Sequence, residues 1–182
     1  MSDFLIRPVF PADHAAINDL LRDAYAQQMS QVYSVALRRK ALPVLTDISP
    51  ALLFGGRYVL AEYDDEVVGV AGWSDISPFG RTCPQGHAHV RHMACAPDCL
   101  RRGIGRALMM EVIQATQRGG VRHLHCLCPL NAAAFCEAVG FRSLAEVVLG
   151  FTPEISLPAV DMRLDMVGAV DQTPAMEAGA RV

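Results

Sequence analysis

The sequence predicts a mixed α/β fold, an α+β arrangement in which a mixed sheet carries helices on both faces. Runs of strand-like apolar residues alternate with runs whose apolar residues recur at helical spacing. Gly, Pro and Asp punctuate the boundaries between them. One segment also reads strand, glycine-rich turn, helix, strand, the pattern of a right-handed parallel crossover. The chain has 182 residues, 52% hydrophobic and 19% charged, enough for one domain with a sizeable core. A net charge of -3 and a pI near 6.0 argue against nucleic acid held by bulk charge. No apolar run approaches the ~20 residues of a membrane span. The N-terminus "MSDFLIRPVF" has no basic stretch ahead of an apolar one, so no export signal is read. Cys83, Cys95, Cys99, Cys126, Cys128 and Cys136 are therefore expected as reduced thiols in the cytoplasm, not as a disulfide framework.

The elements follow in order. "FLIRPV" is a short strand stopped by Pro8 and Pro11. Asp13 stands as N-cap to "HAAINDLLRDAYAQQ", where Ile17, Leu20, Leu21 and Ala24 share one face. "QVYSVALRRKAL" is read as a second helix ending before Pro43, and "SPALLFGG" as a third, short one. "RYVLAEYDDEVVGVAGWS" is a hairpin turning at Asp64-Asp65. After the loop "ISPFGRTCPQG", "HAHVRHMACA" is a strand that stops at Pro97. A helix through "GRALMMEVIQATQRGG" places Ala107, Leu108, Val112 and Ala115 on its apolar face and ends at Gly119-Gly120. "VRHLHCLC" is a buried strand, "NAAAFCEAVG" a short helix, and "FRSLAEVVL" and "LPAVDMRLDM" are further strands. The tail "GAVDQTPAMEAGARV", residues 168–182, lacks periodicity and is expected to be disordered.

The stretch "PDCLRRGIGRALMM" carries the first chemical signal. Between a strand end and a helix start, free N–H groups and the helix dipole favour an anion. Gly103 and Gly105 clear side chains from the backbone, and Arg101, Arg102 and Arg106 add charge. Together they describe a cradle for phosphate or pyrophosphate. Neither the Gly-Lys-Ser/Thr ending of a P-loop nor a third dinucleotide-type glycine is present. The plainer reading is a glycine turn with solvated arginines.

Its surroundings favour the cradle. A strand reaching "AP", a six-residue step to the first glycine and an apolar helix resemble motif A of the GNAT superfamily of acyl-CoA-dependent N-acetyltransferases. "PLNAAAFCEAVGF" resembles that family's last helix, and "YVLAEYDDEVVGVAGWS" its central hairpin. The resemblance spans about residues 3 to 166, within a domain expected over 1–167. It implies a mostly antiparallel central sheet with one parallel pair, and acetyl-CoA as co-substrate. The backbone of Leu100, Arg101, Arg102, Gly103, Ile104, Gly105 and Arg106 would then bind the pyrophosphate. The pantetheine arm would lie along Met93, Ala94 and Cys95 and reach toward Asn131. Leu100 departs from the Gln or Arg usual there, so Arg101 or Arg102 is expected to replace the lost charge.

By the same resemblance, His89 stands where some members place a Glu that accepts the amine's proton. A histidine packed in the sheet is the plainer alternative, and Glu62, Asp75 or a water chain are competitors. In "FCEAVGF", Cys136 replaces the family's usual tyrosine acid; it is either a thiol donor or inert packing. The acceptor pocket is implied near Tyr25, Tyr33 and residues 147–157. These are aromatic and apolar, suiting a small amine acceptor with no nucleic acid or membrane partner, and a monomer or homodimer. His87, His89, His123, His125, Cys126 and Cys128 invite a zinc reading. No Cys-x-x-Cys pair occurs and alternate strand residues face opposite ways, so no metal is expected. A cysteine hydrolase built on Cys136 lacks an oxyanion turn. The principal rival is a non-catalytic acyl-CoA-binding or sensing domain.

Overall fold

Seven strands form one sheet in a computed structural model that describes residues 4–166. They are β1 (Leu5–Pro8), β2 (Tyr58–Tyr63), β3 (Glu66–Ser74), β4 (His87–Cys95), β5 (His123–Pro129), β6 (Arg142–Thr152) and β7 (Ile155–Asp165), in the spatial order β1-β2-β3-β4-β5-β7-β6. Only β4 and β5 pair in parallel. The remaining neighbours are antiparallel. Asp64 and Asp65 both have positive φ (50° and 63°), as the tight hairpin turn between β2 and β3 requires. The tail expected to be disordered lies outside the described residues.

Helices α1 (His14–Gln28), α2 (Val35–Thr46) and α3 (Pro50–Leu53) precede the hairpin; α4 (Ile104–Arg118) joins β4 to β5, and α5 (Ala133–Ala138) follows β5. The apolar face of α1 (Ile17, Leu20, Leu21, Ala24) buries against Leu60, Val70 and Ala94. On the other face of the sheet, α4 packs Ile104, Leu108 and Val112 against Ala61, Ala88 and Leu124. No helix among the described residues is long and apolar enough to cross a membrane.

Three local expectations are corrected. Asp13 does not cap α1; its carboxylate turns back to the Phe10 N–H (2.7 Å) and to Arg7 (2.8 and 2.9 Å). The second helix starts behind Ser34, whose hydroxyl accepts from the Leu37 N–H at 3.2 Å, and it runs through Pro43. Pro43 and Arg39 are both exposed, so the carbonyl that loses its helical donor faces water. On α4, Ile104, Met109, Ile113 and Thr116 join Leu108 and Val112 in the core, whereas Ala107 and Ala115 lie only at its margin.

The feature that positions the site is an irregularity in β4. Gly72 pairs with Arg91 and Val70 with Ala94, so His92 and Met93 together oppose Ala71. His92 takes a φ of 44° to make this bulge. The Tyr58 hydroxyl holds it at 2.8 Å from His92 Nδ1, while the Tyr58 ring lies across Gly72. A Cβ on Gly72 would stand 2.5 Å from that ring. We therefore expect Gly72→Ala to displace Tyr58 and destabilise the fold by about 2 kcal/mol or more. The urea midpoint measures this, and a shift below about 0.5 kcal/mol would dissociate Tyr58 from the bulge.

Candidate active site

Pairing between β4 and β5 covers only His87↔His123, Ala88↔Leu124 and His89↔His125. Beyond His89 the bulged β4 leaves β5, and a cleft opens between them. The Ala96 N–H bonds back to Val68 on β3 at 2.9 Å. Alternation then turns the polar backbone of Met93 and Cys95 toward the cleft. The side chains of α1 confirm that orientation. The Tyr25 hydroxyl donates to the Met93 carbonyl at 3.4 Å, and Gln28 Nε2 donates to the Cys95 carbonyl at 3.0 Å. Burial raises the Tyr25 pKa, so it stays a neutral donor. Gln28 carried no sequence signal, because its partner is a carbonyl 67 positions away.

The turn at the cleft's mouth has the expected shape. Arg101 and Gly103 have positive φ (64° and 85°), and Gly103 caps α4. From Leu100 to Arg106 no backbone N–H has an acceptor among the described residues. Nothing lies within 4 Å of a Cβ built on Gly103, so its role is conformational. Gly105 differs: Cys95 Sγ, Phe135 and the Met93 methyl lie 3.4–3.6 Å from its would-be Cβ. Leu100 is exposed and offers no polar group. The Arg102 guanidinium lies 4.4 Å above the Tyr63 ring, and Arg106 reaches the Ala138 carbonyl at 3.4 Å. Asn131, after β5, has a buried Oδ1 with no partner among the described residues. Such an atom invites an N–H donor from a ligand.

On the α1 face of the strand junction, four imidazoles gather. His87 and His125 approach Nδ1 to Nε2 at 2.9 Å, and His89 lies over His125 with centroids 5.2 Å apart. His123 Nδ1 meets Asp165 at 2.7 Å. Burial, then the Arg91 charge, lowers the His89 pKa to about 4; burial, then His89, does the same for His125. Both are neutral at pH 7, and His89 Nδ1 is buried without a partner. Two competitors for the base role are engaged elsewhere. Glu62 pairs with Arg7 at 2.7 Å, and Asp75 takes a bidentate Arg57 at 2.6 and 3.0 Å.

Two side chains of the expected site are committed within the fold. The Tyr33 hydroxyl donates to the Pro158 carbonyl (2.7 Å) and accepts from the Leu130 N–H (2.9 Å), so it clasps β7 to the end of β5. Cys136 is buried and sits 3.4 Å from Cys128 Sγ. Sequence reasoning also passed over Asp161. Opposite Leu127 on the histidine face, it has a buried Oδ1 without a partner, and burial raises its pKa. A cavity of about 650 Å³, rich in carboxylates (Asp13, Asp19, Asp23, Glu62, Glu66), lies between α1 and the β2–β3 turn and reaches the end of β4 at Ala96 and Pro97.

Similarity to known proteins agrees with this geometry. The model of the Acetyltransferase (GNAT) family matches residues 16–141. A GCN5-related N-acetyltransferase structure from Rhodopseudomonas palustris superposes with a TM-score of 0.75 at 20% identity, covering 91% of this chain and 98% of that one. The PaiA N-acetyltransferase of Thermoplasma acidophilum, solved with coenzyme A, gives 0.67 at 12% identity over 90% and 99%. The ribosomal-protein-S18-alanine N-acetyltransferase of Escherichia coli gives 0.61 at 20% over 94% and 99%. No curated protein sequence matches the chain.

The neutral histidines set an acid limit on the fold. His89, His92 and His125 have folded pKa values of about 4 against an ordinary 6.5. The unfolded chain therefore binds more protons between those values. Stability should be full above pH 6.5 and fall as pH drops toward 4, by at most about 1.4 kcal/mol per pH unit for each histidine. Urea midpoints across pH 4–8 test this; a midpoint unchanged from pH 7 to 5 would place these imidazoles in water.

Proposed function

The chain belongs to the GNAT acetyltransferase family, and from that premise we propose that it transfers an acetyl group from acetyl-CoA to the amine of a small, partly apolar acceptor. The observation that carries this reading is the cleft beyond His89, with β4 backbone that β5 does not pair on one wall and the orphaned Asn131 Oδ1 on the other. Pyrophosphate fits the free N–H groups from Leu100 to Arg106, where the dipole of α4 and nearby arginines supply positive potential. Pantetheine amides can extend the edge of β4 at Met93 and Cys95 and donate to Asn131. These fixed backbone groups do not have to reorganise when the co-substrate arrives.

The reaction is direct attack in a ternary complex. The acceptor nitrogen adds to the thioester carbonyl, the C–S bond breaks, and the CoA thiolate leaves. A proton must leave the nitrogen, and neutral His89 is the candidate acceptor, directly or through water. The acceptor would enter from the α1–α2 side, where the partly buried Tyr25, Val147 and Phe151 offer apolar surface. Asp161 is the candidate partner for a polar or cationic group on it. Cys136 lies among buried sulfurs and is not needed as an acid, because a thiolate is a competent leaving group.

Turnover separates this reading from a non-catalytic acyl-CoA sensor. An amine screen with acetyl-CoA, following thiol release, should find acetylation; tight CoA binding without turnover of any amine class would favour the sensor. His89→Gln should lower kcat by about 10²-fold with little change in acetyl-CoA affinity. An unchanged pH–rate profile would remove His89 from proton transfer. Arg102→Ala should weaken acetyl-CoA binding several-fold and reduce its salt dependence.

A further inference from the structure

Three cysteines meet at one point where β5 faces α5. Cys126 and Cys128 stand two apart on β5, so their side chains share the face opposite the histidines. Cys136 reaches them from the middle of α5. The three sulfur atoms all lie within 4.8 Å of one another, and Cys128 and Cys136 are 3.4 Å apart. The spacing of Cys126 and Cys128 suggests no metal motif because the third sulfur comes from another element.

Packing alone would treat these thiols as small apolar groups. The convergence of all three sulfurs is more specific. Thiolates bound to one tetrahedral zinc ion at about 2.3 Å stand about 3.8 Å from each other. The triangle here needs only small side-chain adjustments to reach that spacing. Thiolate ligands select soft d10 ions over hard, oxygen-seeking ones. All three sulfurs are buried, and the cysteines pack within the apolar core between the sheet and helices α4 and α5.

We propose that Cys126, Cys128 and Cys136 form a site for a single thiophilic d10 metal ion, with Zn²⁺ as its simplest occupant. Binding replaces the thiol protons with three metal–sulfur bonds and releases those protons to solvent, so affinity rises with pH. No electron is transferred and no oxidant is needed. The site itself stands whether or not acyl transfer does.

The test uses the full-length, reduced protein under inert gas. Zn²⁺ is titrated against a chromogenic chelator, and Co²⁺ is titrated while sulfur-to-metal charge-transfer absorption is followed. We expect one ion per chain, an intense thiolate charge-transfer band and a higher melting temperature with Zn²⁺. Cys128→Ser and Cys136→Ser should each weaken binding by more than tenfold, while Cys83→Ser leaves it unchanged. Melting curves of the metal-free variants establish that they fold. If neither variant folds, the charge-transfer band of the wild-type protein decides by its presence or absence. No stoichiometric binding, or binding lost in His87→Ala and His125→Ala but retained in Cys136→Ser, overturns the proposal.

Discussion

β4 stops pairing with β5 at His89 and bulges just beyond, at His92 and Met93, and the rest of the site follows from that divergence. A parallel pair that stayed in register would pair the inward polar groups of Met93 and Cys95 with β5. Here those groups face a cleft and are steadied from α1 by Tyr25 and Gln28. The bulge in turn depends on Gly72, the one residue small enough to lie beneath the Tyr58 ring while its hydroxyl meets His92. A glycine on β3 thus sets the aim of backbone groups on the neighbouring strand.

The cleft also divides the chemistry into two faces. Histidines 87, 89, 123 and 125 project toward α1, where desolvation and mutual repulsion keep His87, His89 and His125 neutral. Cys126 and Cys128 project toward α5, where Cys136 joins them. Strand alternation alone separates proton-accepting groups from thiols although the residues interleave in sequence. Three polar atoms near this junction, on His89, Asn131 and Asp161, are buried and unpartnered among the described residues. Buried polar atoms normally find partners in the fold.

Much of this was legible in the sequence because it rests on local pattern. The hairpin turn at Asp64-Asp65, the stop of β4 before Pro97 and the glycine start of α4 follow from backbone preferences of a few residues. The exit of α2 through Pro43 was not, because it depends on an exposed carbonyl finding water. The bulge was equally hidden, since His92 resembles any strand residue until Tyr58 and Gly72 are brought beside it. The hydroxyl of Tyr33 is committed to Pro158 and Leu130, contacts more than 90 positions distant. Asp161 reads as one polar residue in an alternating strand, and its significance comes only from burial. The family resemblance implied where the co-substrate would bind; tertiary contacts decide what each side chain there can do.

A crystal structure with a non-hydrolysable acetyl-CoA analogue tests the central claim most directly. The pyrophosphate should lie on the N–H groups between Leu100 and Arg106, and the pantetheine arm should run between Met93–Cys95 and Asn131. The acetyl carbonyl should then stand near the His89–His125 junction. An analogue bound outside the cleft, or β4 and β5 continuing to pair past His89, would contradict the account.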